Sequence, residues 1–426
     1  MSGARDPAKL LRAMFDAAVA AADPGKAIPS VLPPKPSGRV VVVGGGKASA
    51  RMAQVVEEHW GPCEGLVIVP HGASLPTKGI ELVEGAHPVP DAAGAEAAQR
   101  MLQLVASLGE GDFALCLISG GGSSLMAAPG KGLTLADKQA INAALLASGA
   151  PISDMNVVRK HLSAMKGGRL AAAAHPAKVM TLTISDVPGD DPSIIASGPT
   201  VPDSSTVQDA QRIIARYGLD LPPSVATFLA TADAETPKSD HPVFASAETH
   251  IVAAPQASLL AAAKVAEAHG VTPLLMGDAL EGEAKELGTA MAGIAASCAR
   301  HGMPAKGPVA LISGGETTVT VNGPAGQGGR NTEFLLSFAM QAPQGVSAIA
   351  CDTDGIDGKS DAAGAMWTPE VAAAASGLDA ASFLASHDSY NYFGPAGGLI
   401  KTGPTHTNVN DFRAILVEEW DPTRRV

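Results

Sequence analysis

A lysine follows three glycines directly after an apolar run, in residues 41–49 (VVVGGGKAS). Glycines between a strand and a helix let backbone amides approach an anion at the positive end of the helix, and Lys47 adds a full charge. The Walker A spacing is absent. The segment nearly fits the dinucleotide motif G-x-G-x-x-[GA], but the next apolar run, residues 66–72 (LVIVPHG), ends without an acid for the adenosine ribose. These residues therefore indicate a phosphate site and disfavour NAD.

Two further segments share the form I-S-G-G-x-[ST]-[ST], each directly after an apolar run. They are residues 118–124 (ISGGGSS) and 312–318 (ISGGETT). Consecutive small residues form a potential anion nest, to which the hydroxyls add donors. The echo predicts that each half of the chain contributes an amide-lined loop to a common cleft.

Basic residues accompany glycines in two places. Residues 156–171 (NVVRKHLSAMKGGRLA) combine a helical pattern with a basic cluster, for which a solvated helix face and anion contact are both open interpretations. Residues 326–333 (GQGGRNTE) place Arg330 just ahead of a helix start, where a planar bidentate donor and a positive dipole end would converge on one phosphate.

Carboxylates cluster after two other apolar runs. Residues 183–200 (TISDVPGDDPSIIASGPT) hold three aspartates within six positions, which suits Mg²⁺ binding or activation of a substrate hydroxyl, while an Asx turn accounts equally well for one of them. Residues 351–358 (CDTDGIDG) form a similar acidic turn without the spacing of an EF-hand.

The elements that position these residues repeat one pattern, in which a β-branched run meets a glycine-rich or acidic turn and a helical segment follows. This pattern is typical of an α/β doubly wound parallel sheet, with ligands beyond the carboxyl ends of the strands. Residues 232–242 (ADAETPKSDHP) are polar and contain two prolines, so we place the domain boundary there, between residues 1–240 and 241–426.

Composition excludes several classes of protein. A net charge of −12 and 4% aromatic residues argue against nucleic acid binding. Without an apolar leader or a membrane-length apolar stretch, we expect a cytoplasmic protein with no membrane partner. The four cysteines are widely separated and lack zinc spacing, and Cys116 and Cys351 lie inside apolar runs, which favours core packing over chemistry for these two.

Together these motifs resemble the glycerate 2-kinase family, whose C-terminal module is called MOFRL. The resemblance runs from about residue 40 to 415 and also includes residues 402–412 (TGPTHTNVNDF). It implies two α/β domains: a Rossmann-like N-terminal domain with a doubly wound parallel sheet, and a smaller C-terminal domain with the MOFRL module at about 305–415. The active site would lie in the cleft between them.

The resemblance also implies transfer of the ATP γ-phosphate to the 2-hydroxyl of D-glycerate, with ATP and Mg²⁺ as cofactors. Lys47 and Arg330 match the catalytic lysine and arginine of the family, and Asp186 or Asp190 the catalytic aspartate. We predict metal ligands at Asp190, Asp354 and Asp357. Residues predicted to bind the nucleotide or substrate are Gly44, Gly45, Gly46, Ser119, Gly121, Gly122, Ser123, Ser124, Arg159, Lys166, Ser313, Gly314, Gly315, Glu316, Thr317, Asn331, Thr405 and Asn408.

Two alternatives stay open beside the kinase. The first is an NAD(P)H-dependent hydroxypyruvate reductase, a name that some members of the family carry. The spacing Gly44-x-Gly46 supports this activity, and the missing carboxylate for the adenosine ribose weakens it. A non-catalytic sensor that closes on a sugar acid is disfavoured, because carboxylate clusters around a bound anion need a metal. D-glycerate and ATP are the expected partners, and a homodimer is left open.

Overall fold

The computed structural model describes residues 5–418. They form two compact units. The N-terminal unit is Pro24–Ala253, and the C-terminal unit combines the chain from Ala254 onward with the residues up to Asp23, which include helix α1 (Pro7–Ala21).

A parallel sheet with strand order β3-β2-β1-β4-β5-β6 forms the centre of the N-terminal unit. Its strands are β1 (Val40–Gly45), β2 (Glu64–Pro70), β3 (Ile80–Gly85), β4 (Phe113–Ile118), β5 (Lys178–Ile184) and β6 (Glu248–Ala253). The helices of this unit are α2 (Pro24–Ala27), α3 (Ser49–Trp60), α4 (Ala92–Ala106), α5 (Gly122–Leu125), α6 (Leu135–Ala147), α7 (Ile152–His161), α8 (Arg169–Ala174), α9 (Val207–Arg216) and α10 (Pro223–Leu229).

The sequence explains both kinds of element in this unit. β1 and β4 are buried along their whole length and read as continuous apolar runs, as strands covered on both faces do. Thr134 and Thr206 precede helices α6 and α9 as N-caps, and their hydroxyls accept from the backbone amides three residues later in capping boxes. The Rossmann-like parallel sheet predicted for the N-terminal half is confirmed.

A mixed sheet with strand order β13-β12-β11-β14-β9-β7 forms the centre of the C-terminal unit. The strands of this unit are β7 (Thr272–Gly277), β8 (Gly282–Glu283), β9 (Val309–Ser313), β10 (Thr317–Thr318), β11 (Val346–Asp352), β12 (Gly364–Trp367), β13 (Leu399–Ile400) and β14 (Asp411–Val417), of which β8 and β10 pair separately. Its helices besides α1 are α11 (Pro255–Ala268), α12 (Ala284–His301), α13 (Arg330–Ala339), α14 (Pro369–Ala374), α15 (Ala380–Ala385) and α16 (Ser389–Phe393).

The sheet of the C-terminal unit departs from the strand pattern predicted for it. Only the pair β7–β9 of this sheet is parallel within the described residues, whereas β9, β14, β11, β12 and β13 pair antiparallel in turn. The apolar runs of this half are as continuous as those of a parallel sheet, because helices α11 and α12 contribute to separate cores that both include residues of β9 and β14. Because both faces of the sheet are buried, the sequence pattern did not distinguish antiparallel from parallel strands.

The division of the chain differs from the predicted one in two places. β6 completes the first sheet, so the chain passes from one unit to the other between residues 253 and 254, after the proline-rich segment in which we placed the boundary. Residues 5–23 belong to the C-terminal unit, because Leu11, Met14 and Phe15 of α1 are buried in one core with Leu259 of α11 and Phe412 of β14.

The structure also bears on the cysteines and on membrane-spanning helices. All four cysteines are buried and unbridged, and burial raises the pKa of Cys116 to about 12, so the prediction of core packing is confirmed. Within residues 5–418, no helix combines the length and apolar character needed to span a membrane.

Candidate functional site

The GGGK turn joins β1 to α3 and packs tightly against the end of β4. The Lys47 amide donates to the Gly120 carbonyl oxygen at 2.8 Å, and the Ala48 amide donates to Ser119 Oγ at 3.0 Å. Gly46 has a φ of +148°, and a Cβ at this position would lie 2.1 Å from Ser119 Oγ. The turn therefore requires glycine, and it fixes the backbone from which the half-buried Lys47 side chain extends.

The loop SGGGSS (residues 119–124) lies beside this turn. A Cβ at Gly121 would approach His87 Cδ2 to 2.9 Å and Lys47 Cγ to 3.6 Å, so these three residues are neighbours. Ser124 Oγ donates to the Gly121 carbonyl oxygen at 3.0 Å, which uses one of the predicted ligand donors within the loop itself. The predicted glycines 44–46, 121 and 122 and the predicted serines 119, 123 and 124 thus come together at the carboxyl ends of β1 and β4.

A serine that we did not predict, Ser197, also reaches this loop. Its Oγ lies 2.9 Å from Ser123 Oγ, and Lys166 Nζ donates to the same Ser123 hydroxyl at 2.6 Å. Ala196 and Ser197 have φ values of +49° and +63°, a left-handed conformation that is uncommon outside glycine and costs energy. The available signal was the segment ASGPT (residues 196–200), whose small residues follow the acidic turn.

Three cations come together near this loop on separate segments. Arg159 of α7 donates through Nε to Asn142 Oδ1 of α6 at 2.8 Å, and Lys138 of α6 donates to the Ala128 carbonyl oxygen at 3.3 Å. Burial, with the charges of Arg159 and Arg169, lowers the pKa of Lys138 to about 7. Burial, with the charges of Lys138 and Arg159, lowers the pKa of Lys166 well below its usual range. The sequence indicated Arg159 and Lys166 but not Lys138.

The three aspartates of the acidic segment after β5 have different surroundings. Asp191 Oδ1 accepts from the Ser193 amide at 2.8 Å, so this carboxylate forms the Asx turn that we considered for one of the three. Asp190 has a φ of +56°, and its Oδ1 is buried without a hydrogen bond from any described residue. Asp186 is half-buried and lies two residues after the end of β5. Because β5 is parallel to β4, the segment leaves the same edge of the sheet as the SGGGSS loop.

Arg330, in the C-terminal unit, is surrounded by carboxylates. It is the first residue of α13, and its Nε, Nη1 and Nη2 donate to Asp411, Glu316 and Asp352 at 2.7, 2.7 and 2.8 Å. Burial lowers the pKa of Arg330, but the charges of Asp352, Asp411 and Glu316 outweigh that effect and raise it. A guanidinium has five N–H donors, of which these bonds use three. The sequence did not lead us to predict Asp352, which ends the apolar run of β11, or Asp411, which begins the apolar run of β14.

The second glycine loop, SGGETT (residues 313–318), does not repeat the geometry of the first. It continues into β10 instead of a helix, and its Gly314 carbonyl oxygen and Thr317 hydroxyl accept from the buried Arg413 at 3.0 and 3.1 Å. Ser313 Oγ is buried without a hydrogen-bond partner among the described residues. Gly315, with a φ of +108°, packs against the backbone of Leu280. The loop therefore holds Arg413, and of its predicted residues Glu316 reaches Arg330.

Asp357, predicted as a metal ligand, has another role in the structure. Its two carboxylate oxygens accept from the amides of Asn331 and Thr332 at 2.9 Å each and from the Thr332 hydroxyl at 2.7 Å, so it binds the first turn of α13. Burial raises its pKa, against the effect of these donors. With Asn331 Nδ2 at 3.4 Å as a fourth donor, the carboxylate caps the helix through all its acceptor positions, and its metal role stays a prediction. Asn331 is likewise fully buried.

Asp354 and Thr405 lie close together in the C-terminal unit, to which Asn408 also belongs. The Thr405 amide donates to the Asp354 carbonyl oxygen at 3.0 Å, and Thr405 Oγ1 donates to the Thr353 carbonyl oxygen at 2.5 Å. Asp354 Oδ1 accepts from the Ile356 amide at 2.9 Å, and Asn408 is buried. Across residues 5–418, no three His, Cys, Asp or Glu side chains form a group that could hold a metal ion by themselves.

Comparison with known proteins covers most of the chain. Residues 10–230 match the family model described as a domain of unknown function (DUF4147), and residues 309–411 match the MOFRL family. A protein of Agrobacterium vitis, provisionally named hydroxypyruvate reductase, is 53% identical over 96% of this chain and 94% of its own. The D-glycerate 2-kinase of Thermotoga maritima is 40% identical over 95% of this chain and 96% of its own. The crystal structure of the glycerate kinase of Thermotoga maritima aligns with a TM-score of 0.85 and 39% identity, over 96% of this chain and 99% of that one.

Proposed function

The chain belongs to the glycerate 2-kinase family, and on that premise we propose that it transfers the γ-phosphate of ATP to the 2-hydroxyl of D-glycerate. The match to relatives named as glycerate kinases extends over nearly the whole of both chains. The observation that carries the proposal is the arrangement of Lys47, the GGGK turn and the SGGGSS loop at the carboxyl edge of the parallel sheet. Phosphoryl transfer asks a protein mainly for positioning and charge neutralisation, which amides, hydroxyls and cations supply.

In the proposed reaction, the oxygen of the 2-hydroxyl forms a bond to the γ-phosphorus while the bond to the bridging oxygen of ADP breaks. Lys47 neutralises charge that develops on the transferring phosphoryl group. Arg330 is the second cation that we propose as catalytic, with two N–H donors besides the three that bind carboxylates. The hydroxyl proton passes to a carboxylate. Asp190 suits this role better than Asp186, because its buried Oδ1 accepts no hydrogen bond from any described residue.

The residues present also fit a magnesium ion that accompanies the nucleotide. Mg²⁺ is usually held by one or two carboxylates together with substrate phosphates and water, and does not need a cage of protein ligands. Asp190, with its unpartnered oxygen, and Asp354, half-buried after β11, are the carboxylates we propose for it. When bound, the ion would neutralise charge on the phosphates, and the protein side chains would orient the substrate hydroxyl.

The test is an incubation of the purified protein with D-glycerate and ATP, with and without Mg²⁺, followed by phosphorus NMR. We expect a 2-phosphoglycerate signal that grows with ADP and disappears in excess chelator. A pure 3-phosphoglycerate signal would refute the assignment to the 2-hydroxyl, and undiminished turnover in chelator would refute the metal assignment.

A hydroxypyruvate reductase is the second candidate, because two relatives at 53% and 51% identity are provisionally named for that activity. Against it, β2 ends at Pro70 and His71 follows, so no carboxylate stands where a dinucleotide site usually holds its ribose. Oxidation of NADH or NADPH with hydroxypyruvate, measured at 340 nm in the same preparation, would establish this activity.

A further inference from the structure

We propose that Lys138, Arg159 and Lys166 form an anion-binding pocket in the N-terminal unit, which takes the charged oxygens of a substrate carboxylate or phosphate. The choice of these ligands rests on the proposed function. The pocket itself rests on the packing and charge of the three side chains.

The three cations are held together by α6, α7 and the segment that follows α7. Lys138 and Asn142 are one turn apart on α6, and Asn142 accepts from Arg159 of α7. The Ala128 carbonyl oxygen accepts from Lys138 Nζ at 3.3 Å and from Ser163 Oγ at 3.2 Å. Ser163 Oγ in turn accepts from the Lys166 amide at 3.2 Å. A continuous set of hydrogen bonds therefore fixes the segments that carry the three charges.

The three cations have neutral partners only. Lys166 Nζ donates to the Ser123 hydroxyl, and Lys138 Nζ donates to a backbone carbonyl oxygen. The Arg159 guanidinium donates to asparagine side chains. Among residues 5–418, none of the three makes an ion pair with a carboxylate. Other lysines of the same unit do, as Lys160 with Asp203 at 3.3 Å.

A missing counter-charge has a physical consequence. Burial of a charge without a partner is costly, and neighbouring like charges add to the cost. The chain carries a net charge of −12, so this local excess of positive charge runs against its overall composition. An anion bound among the three side chains would supply the absent charge.

Access and position also suit a substrate. Lys138 and Arg159 are half-buried, whereas Lys166 is only 5% exposed, so solvent reaches two of the three cations. The hydrogen bond from Lys166 to Ser123 connects the pocket to the SGGGSS loop, which also neighbours Lys47. An anion held here would belong to a molecule that extends toward the GGGK turn.

The test is the substitution Lys138→Met, which removes the charge and keeps the apolar stem. It leaves no acceptor unsatisfied, because the Ala128 carbonyl oxygen still accepts from Ser163 Oγ and the Ala164 amide. Lys264→Met, at an exposed lysine of α11, is the matched control.

Titration calorimetry would use D-glycerate, inorganic phosphate and Mg-ADP as separate probes. We expect roughly 10- to 100-fold weaker binding of at least one probe to Lys138→Met. Its Tm should equal or exceed that of the wild type, because repulsion is relieved.

The pattern of loss identifies the ligand. Weaker binding of D-glycerate alone assigns the pocket to the carboxylate, and weaker binding of phosphate or Mg-ADP assigns it to a phosphate group. Three outcomes would overturn the pocket: no probe binds the wild type, all probes bind Lys138→Met as they bind the control, or weaker binding comes with a lower Tm. If phosphate binds in the pocket but D-glycerate is neither bound nor phosphorylated, the pocket stands and the proposed function fails.

Discussion

Arg330 and Lys47, the two cations assigned to phosphoryl transfer, have different surroundings. Arg330 neutralises Asp352 and Asp411, both nearly fully buried, and its removal would leave these carboxylates with less compensation. Loss of one partner from a buried ionic group is strongly destabilising. Substitution of Arg330 therefore perturbs folding as well as catalysis, and Lys47 offers the clearer test of mechanism.

We expect Lys47→Ala to lower kcat on the order of 10²–10³-fold with a smaller change in KM, because the charge acts mainly on the transition state. Lys47→Arg should not restore activity, since a bulky planar fork would replace a compact charge beside a tight glycine turn. Steady-state kinetics measure both effects, with Lys264→Ala as the control. A near-wild-type kcat in folded Lys47→Ala would place the chemistry elsewhere.

The lowered pKa values of the pocket lysines predict a pH dependence of anion binding. Lys138 has a pKa of about 7 in the ligand-free protein, and a bound anion would raise it. Affinity should therefore be highest below pH 7 and fall as the pH rises, on the order of tenfold over one to two units. Lys166 titrates with the same sign, while Arg159 and Arg169 stay charged. Calorimetry from pH 6 to 9 measures the effect, and Lys138→Met should flatten it.

At the scale of elements, one carboxylate connects the glycine loop before α13 (residues 326–329) to the acidic turn after β11 (residues 352–358). Asp357 binds both amides at the start of the helix, and a Cβ at Gly329 would lie 2.4 Å from its Cγ. The helix start that positions Arg330 thus depends on an aspartate 27 residues further along the chain. Neither segment would be ordered in this way alone.

We expect Asp357→Ala to lower the free energy of unfolding by roughly 2–4 kcal/mol, because it leaves buried donors of α13 without an acceptor. Asp361→Ala, which removes an exposed ion pair with Lys401 and an exposed hydrogen bond from the Tyr390 hydroxyl, should cost about 1 kcal/mol or less. Urea denaturation measures both. If Asp357 ligates a metal instead, Asp357→Ala will chiefly raise the Mg²⁺ concentration needed for activity, with little change in stability.

At the scale of the whole molecule, the N-terminal helix belongs to the unit built from the C-terminal half. Phe15 of α1 is fully buried, with its ring centroid 5.9 Å from that of Phe412 in β14. The first and last described elements therefore share one core.

Phe15→Ala should lower the stability of the C-terminal unit by about 3–5 kcal/mol, as large-to-small core substitutions do. Hydrogen exchange resolved by mass spectrometry would locate the loss. We expect faster exchange in residues 254–418, with residues 24–253 less affected. The reverse distribution would contradict this division of the chain.

The sequence by itself determined the family, the Rossmann-like sheet and most of the residues around Lys47. It did so because a phosphate site on a parallel sheet is built from contiguous motifs at strand ends, and the motifs here are long and in order. The Asx turn considered for one of the aspartates at 186, 190 and 191 could also be predicted, since an Asx turn is a local structure.

Only the tertiary structure decided the features that depend on distant partners. The antiparallel strands of the second sheet look like parallel ones in sequence when both faces are buried. The place of α1, the capping role of Asp357 and the carboxylates around Arg330 join residues far apart along the chain. Lys138 could not be recognised because it lies in an ordinary helical segment without a motif, and its significance comes from Arg159 and Lys166, which only folding brings beside it.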